Sequence, residues 1–250
     1  RFDLDGMRID AVPMMPRAAT RRIVRAAQRS VRRDGLDLLI VGEDYTGPGD
    51  GGRAEIRSFL GSHVDGLDSA FDFPLMWAIR DVLAHESAGF AAIEDMLVEI
   101  EGATAGSGAV LGQIVGNHDV TRFFSEAHGD AGGDPWAEPA AQVEDAVAFA
   151  RLRSALTLLL TLPGLPVLYY GDEVGLAGGN DPDNRRVLPE LAALSGEQQA
   201  TLALVRRLAE LHGGSVAVES TPGDGTTIHC VFEAGSVAAP PEEKDLNPQP

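Results

Sequence analysis

Short runs rich in leucine, isoleucine and valine alternate along this chain with longer stretches in which apolar residues recur every three to four positions. The first pattern predicts strands at residues 6–11, 37–42, 67–73, 110–116 and 166–170; the second predicts helices at 18–33, 76–85, 90–100 and 143–162. Leu38-Leu39-Ile40-Val41 and Val167-Leu168-Tyr169-Tyr170 lack polar alternation, as strands covered on both faces do. About five βα units follow, and with them an α/β class built on a parallel sheet. Glycine and proline gather at 47–52, 129–135 and 178–182, beyond the C-terminal ends of predicted strands, where α/β proteins keep their sites.

The last part of the chain changes character. Residues 200–212 have the spacing of an amphipathic helix ended by Gly213-Gly214, and a hairpin follows that alternates Val216 and Val218 against Ile228, Cys230 and Phe232. From Ala238 the sequence is polar and proline-rich, with too little apolar surface to order itself. The division is therefore 1–196 as a βα unit array, 197–236 as helix plus hairpin, and 237–250 as a disordered tail.

Composition narrows the partners. The chain has 250 residues and is 44% hydrophobic, enough for a sizeable core. Twenty Lys and Arg against 38 Asp and Glu give a net charge of −18, which argues against nucleic acid or an anionic membrane and leaves a neutral, hydroxyl-rich ligand unaffected. The single cysteine, Cys230, rules out an internal disulfide and a thiolate zinc cluster; on the hairpin it reads as an inert core thiol. No run reaches the roughly 18 apolar residues of a membrane span.

Candidate chemistry lies at three strand ends: Gly6-Met7-Arg8-Ile9-Asp10, Val41-Gly42-Glu43 and Gly116-Asn117-His118-Asp119. Cleavage of a glycosidic bond with retention needs one carboxylate as nucleophile and a second carboxyl as acid, about 5–5.5 Å apart. Asp10 and Glu43 are the candidates. Arg8 lies two residues before Asp10, projects to the same face of an extended strand, and favours an ionised Asp10. Partial desolvation at the end of an apolar strand suits Glu43 to the acid role. His118 and Asp119 can hold sugar hydroxyls and stabilise an oxocarbenium charge. Each string also has an ordinary reading: a strand-end ion pair, a helix N-cap neighbour, an Asx turn beside a solvated histidine.

Taken in order, these strings over roughly residues 1–195 resemble glycoside hydrolase family 13, the alpha-amylase family. Gly6-Met7-Arg8-Ile9-Asp10-Ala11-Val12 is similar to its fourth-strand motif, Val41-Gly42-Glu43 to the fifth and Asn117-His118-Asp119 to the seventh. The run from Leu162 through Tyr169-Tyr170-Gly171-Asp172-Glu173 resembles the eighth strand, and Asn180-Asp181-Pro182-Asp183-Asn184-Arg185-Arg186 the loop after it in neopullulanase-like and cyclomaltodextrinase-like members. The resemblance implies a partial (β/α)8 TIM barrel, about strands 4 to 8, followed by a helix and β-hairpin. It implies Asp10 as nucleophile with Arg8 its partner, Glu43 as acid/base, Asp119 as transition-state stabiliser, and His118, Asp181 and Arg185 as substrate contacts. The implied substrate is an α-glucan or maltooligosaccharide, with no cofactor. A structural calcium is common in the family, and Asp172, Asp181 and Asp183 offer oxygen ligands for one.

The departures from the family pattern shape two other readings. Counterparts of the family's first three strands are absent, and Pro13-Met14-Met15-Pro16 stands where a Lys or His usually shapes the acceptor side. Five strands leave open sheet edges, so oligomerisation that covers them is one expectation, and a catalytically incompetent truncated or chimeric remnant is another. Residues 202–233, with Leu204-Val205-Arg206-Arg207-Leu208 leading into His212-Gly213-Gly214 and Pro222-Gly223-Asp224-Gly225, also resemble the end of a histidine-kinase ATP-binding domain, which gives an ATP-binding signalling fragment as the third reading.

Overall fold

A computed structural model of the chain describes residues 4, 6–31, 38–47, 50–61, 65–221 and 225–231. The tail expected at 237–250 and Phe232 lie outside the described residues. Strand β1 (Gly6–Ile9) pairs in parallel with β2 (Leu39–Gly42), residue for residue from Gly6 opposite Leu39 to Ile9 opposite Gly42. β2 pairs in parallel with β3 (Ser69–Ala70), and a parallel bridge from Phe71 to Gly112 carries the arrangement to β4 (Gly112–Gln113). β4 in turn pairs in parallel with β5 (Leu165–Pro166). Five parallel strands thus stand side by side in chain order, which is how successive βα units assemble.

Helices connect them. α1 (Arg17–Val31) joins β1 to β2, and α2 (Asp50–Phe59) leads on to β3. α3 (Phe73–Leu83) and α4 (Ala91–Thr104) separate β3 from β4; α5 (Phe123–His128) and α6 (Ala146–Thr161) separate β4 from β5. α7 (Gly196–Leu211) closes the array and runs into an antiparallel hairpin of β6 (Ser215–Thr221) and β7 (Gly225–Val231), with Val216 opposite Cys230 and Val218 opposite Ile228, the register its alternation predicts. None of the described helices is long and apolar enough to cross a membrane.

Several boundaries differ from the expected ones for local reasons. The apolar run 67–73 divides: Asp72 accepts a hydrogen bond from the Leu75 amide at 3.0 Å, and with Pro74 in the first turn Phe73 becomes the start of α3 instead of the end of a strand. The glycines at 51 and 52, expected in a loop, form the first turn of α2, whose remaining sequence favours helix. Of the predicted run at 110–116 only Gly112 and Gln113 form strand, and β5 begins one residue early and keeps only Pro166 of the run at 166–170. Beyond them the chain turns away to build loops. α5 has no counterpart among the expected helices, because six residues carry too little periodicity to recognise.

Two of the four buried apolar clusters among the described residues hold most of the core. Ile9, Val12, Val24, Ile40, Ile56, Phe59 and Leu67 pack β1, β2 and their helices together. The larger cluster joins Leu75, Ile79, Val115, Phe123, Phe149, Leu152, Leu156 and Val205, with the Phe124 and Phe149 rings 4.5 Å apart at a tilt of 45°. Gly42 at the end of β2 is required by close approach: a Cβ there would fall 2.3 Å from Leu67 Cδ1 and 3.3 Å from Val12 Cγ1.

One carboxylate works against this core. Asp44 has no exposed surface, and neither of its side-chain oxygens has a hydrogen-bond partner. Burial, with a further push from the charge of Glu55 and partial relief from Arg17, raises its pKa from 3.8 to about 7. The unfolded chain ionises Asp44 near its ordinary value, so the folded state binds the extra proton between the two, and stability must fall as pH rises from about 4 to about 7. Asp44→Asn is therefore expected to stabilise the protein by roughly 1–2 kcal/mol at pH 8 and to change little at pH 4, measured by urea unfolding at both values. Leu152→Ala, a truncation in the larger cluster, is expected to cost about 2–5 kcal/mol in the same experiment at any pH.

Candidate active site

The parallel register of β1 and β2 sets the first half of the site. The ladder continues past the strands, with the Glu43 amide donating to the Ile9 carbonyl at 2.8 Å and the Val12 amide to the Glu43 carbonyl at 2.9 Å. Asp10 and Glu43 therefore emerge side by side at the C-terminal ends of neighbouring strands. Ala11 takes a left-handed conformation (φ 43°, ψ 50°), rare for a residue with a side chain, and this turn aims its amide at Glu43 Oε2 at 3.2 Å.

One guanidinium nitrogen joins the two acids. Arg8 Nη2 lies 3.0 Å from Asp10 Oδ1 and 2.6 Å from Glu43 Oε1. The two carboxylates differ sharply in environment: the Asp10 side chain is 74% exposed and that of Glu43 8%. Arg8 also lies 5.9 Å from the centre of the Phe71 ring.

The second half follows β4. The Asp119 amide donates to Asn117 Oδ1 at 2.9 Å, so Asn117-His118-Asp119 is indeed an Asx turn. The turn also carries chemistry at its surface: His118 Nε2 is 3.3 Å from Asp119 Oδ2, and Arg185 Nη2 is 3.5 Å from Asp119 Oδ1. Arg185 Nε in turn pairs with Asp181 Oδ1 at 2.8 Å. His118, Asp119, Asp181 and Arg185 thus form one chain of contacts, as Arg8, Asp10 and Glu43 form another.

Arg8 and Glu43 of the first group and His118 of the second line a common cavity of about 200 Å³, with Phe71, Asn117 and Tyr169 also in its walls. Asp10, Asp119, Asp181 and Arg185 are not among the lining residues; Asp10 is linked to the cavity by its pair with Arg8, and Asp119 by its pair with His118. Charged wall groups among aromatic and aliphatic surface suit a ligand with hydroxyls on its edges and apolar faces.

Beneath the turn lie two buried arginines that the sequence pattern does not single out. Arg80, on α3, donates from Nε to the Val115 carbonyl at 3.2 Å and from Nη1 to the Thr121 carbonyl at 3.1 Å, and pairs with Glu126 at 2.9 Å. Burial works against its charge, and Glu126 and Asp172 offset that cost. Arg122 pairs with Asp172 Oδ1 at 3.0 Å and lies 4.0 Å from the Tyr169 ring centre. Glu173, next to Asp172 and receiving the Gly171 amide at 2.8 Å, is driven by burial to a pKa of about 7. The sole hint in the sequence is Arg80 inside the mainly apolar run 73–83; nothing comparable marks Arg122.

The three aspartates that offer oxygen ligands for a cation are paired with arginines. Asp172 is taken by Arg122, Asp181 by Arg185 and Asp183 by Arg186 at 2.7 Å. Among the described residues no group of three or more His, Cys, Asp or Glu is arranged to hold a metal. Asp183 has another role: its Oδ2 accepts the Gly179 and Ala140 amides at 2.7 and 3.0 Å, stapling the 129–142 loop to the loop after β5.

Comparison with known proteins gives this geometry a context. Residues 1–202 match the family described as the catalytic domain of alpha amylase. A beta/alpha-amylase of Paenibacillus polymyxa is 29% identical over 184 residues, which is 73% of this chain and 13% of that protein. A maltogenic alpha-amylase of Bacillus acidopullulyticus is 28% identical over 190 residues, covering 75% of this chain and 27% of that one. An alpha-amylase from Geobacillus thermoleovorans, solved with acarbose, shares the fold at a TM-score of 0.61 and 24% identity, over 93% of this chain and 47% of that chain. The chain thus spans a minor part of the length of the curated relatives it matches. By the family match over most of its residues, the chain belongs to the alpha-amylase catalytic-domain family.

Proposed function

We propose that this chain carries the reacting groups of a retaining glycoside hydrolase acting on the α-glucosidic bonds of starch-like glucans or maltooligosaccharides. In this reading its five parallel strands correspond to strands 4 to 8 of a (β/α)8 barrel. The observation that carries the proposal is the single Arg8 nitrogen within hydrogen-bond reach of both Asp10 and Glu43. Ion-pair distances of 3.0 and 2.6 Å to one nitrogen keep the nearest Asp10 and Glu43 oxygens within about 5.6 Å of each other, which favours the separation of about 5–5.5 Å used for retention over the roughly 6.5–9.5 Å of inversion.

The roles follow from the family motifs these residues match. Asp10, open and held beside a fixed positive charge, attacks the anomeric carbon as its carboxylate. Glu43, desolvated and oriented by the Ala11 amide, gives its proton to the departing glycosidic oxygen. A glycosyl ester on Asp10 results. Glu43, now a carboxylate, takes a proton from water as the water oxygen attacks the same carbon and releases Asp10. Asp119 faces the positive charge that develops on the sugar ring, and His118, Asp181 and Arg185 bind hydroxyls. Structures of similar proteins support the ligand class: one alpha-amylase was solved with acarbose and another protein, a variant of AmyP, with maltotriose.

Asp10→Asn and Glu43→Gln are each expected to lower turnover of a maltooligosaccharide by at least about 10³-fold while leaving the unfolding transition in place. Reducing-sugar release by the 250-residue chain and the two variants checks this. Full activity in Asp10→Asn, or no turnover by the parent chain, contradicts the proposal.

A further inference from the structure

Asn184 lies in the short helical turn Asp183–Arg185 and is completely buried. Both protons of its side-chain amide are spent on one element: Nδ2 donates to the His118 carbonyl at 2.9 Å and to the Val120 carbonyl at 2.9 Å. These are the carbonyls on either side of Asp119. The amide orientation is not interchangeable, because a flip would set Oδ1 against two acceptors. Oδ1 itself has no hydrogen-bond partner. A buried amide that leaves its acceptor unsatisfied while using both donors is present for the donors.

We propose that Asn184 is a positioning residue for Asp119, fixing the backbone on both sides of it so that its carboxylate faces the sugar ring at the transition state. The inference rests on the catalytic reading of Asp119 given above. The carboxylate's own contacts are weak holds, since His118 at 3.3 Å and Arg185 at 3.5 Å are long pairs between partly exposed groups. The backbone then decides where the carboxylate points, and Asn184 fixes it through two short bonds in a dry setting.

Asn184 is itself anchored to the cavity wall. Its main-chain carbonyl accepts from Arg122 Nε at 2.9 Å and from the Tyr169 hydroxyl at 3.3 Å, with the Arg122 guanidinium packed on the Tyr169 ring. The next residue, Arg185, reaches Asp119 directly. One turn therefore delivers both the backbone brace and the side-chain partner, and ties the placement of Asp119 to Tyr169.

Asn184→Ala, Asn184→Ser and Asn184→Asp in the full chain, beside Asp119→Asn, test this. Each is assayed for kcat and KM on a maltooligosaccharide, for affinity toward acarbose and maltotriose, and for thermal unfolding. Loss of positioning is expected to lower kcat by about 10–100-fold in Asn184→Ala with KM within about 3-fold. Acarbose, whose bridging amine takes a proton and then resembles the charged transition state, should lose affinity in step with kcat, while neutral maltotriose should not. Asn184→Ser, which keeps one donor, should lie between Ala and the parent; Asn184→Asp, which sets an oxygen against two carbonyls, should lose most. If Asn184→Ala does not fold, Asn184→Ser decides the matter by the same measures. An unchanged kcat in a folded variant, or a rise in KM alone, overturns the inference when Asp119→Asn is impaired. An unimpaired Asp119→Asn overturns the catalytic reading of Asp119, and the inference with it.

Discussion

A single guanidinium, that of Arg8, holds the two strand-end acids together. Its Nη2 is shared between an exposed aspartate and a buried glutamate at 3.0 and 2.6 Å. Without it, two acids side by side at the ends of adjacent strands would repel, and the buried one would carry an uncompensated cost of desolvation. The arrangement depends in turn on the parallel register of β1 and β2, because a slip of one residue would turn Arg8 and Asp10 to the other face of the sheet. It also depends on Gly42, which lets Leu67 and Val12 close against the strand that ends in Glu43.

The opposite wall is built by a different means. The turn bearing His118 and Asp119 has no ladder to hold it, and its main-chain carbonyls are instead fixed by side chains from two directions. Arg80 takes Val115 and Thr121 from α3, while Asn184 takes His118 and Val120 from the loop after β5. Arg122 completes the set by anchoring Asn184 to Tyr169 and Asp172. Buried polar groups of this kind are costly unless satisfied, and here they supply the order that loop backbone lacks. A rigid wall of strand ends and a braced turn enclose one cavity between them.

The sequence showed the first wall more clearly than the second. Arg8, Asp10 and Glu43 stand at the ends of apolar runs that are strands, so strand periodicity and residue chemistry pointed to the same place. The register of Val216 and Val218 against Cys230 and Ile228 was legible for the same reason. Hydrophobic pattern was silent about Arg80, Arg122, Asn184 and Asp44, since burial of a polar side chain is set by partners distant in sequence. It also overstated the strands at 110–116 and 166–170, where apolar residues line loops and the cavity. The acidic run at 172–183 suggested a cation only while its arginine partners at 122, 185 and 186 were unplaced.

The account is tested most directly by trapping the intermediate. The chain would be incubated with a fluorinated α-maltosyl substrate that forms the glycosyl ester faster than water removes it, then digested and analysed by mass spectrometry. One added maltosyl group is expected on the peptide containing Asp10, and none in Asp10→Asn. An adduct on any other residue, or turnover of the substrate with no adduct at any time, would contradict it.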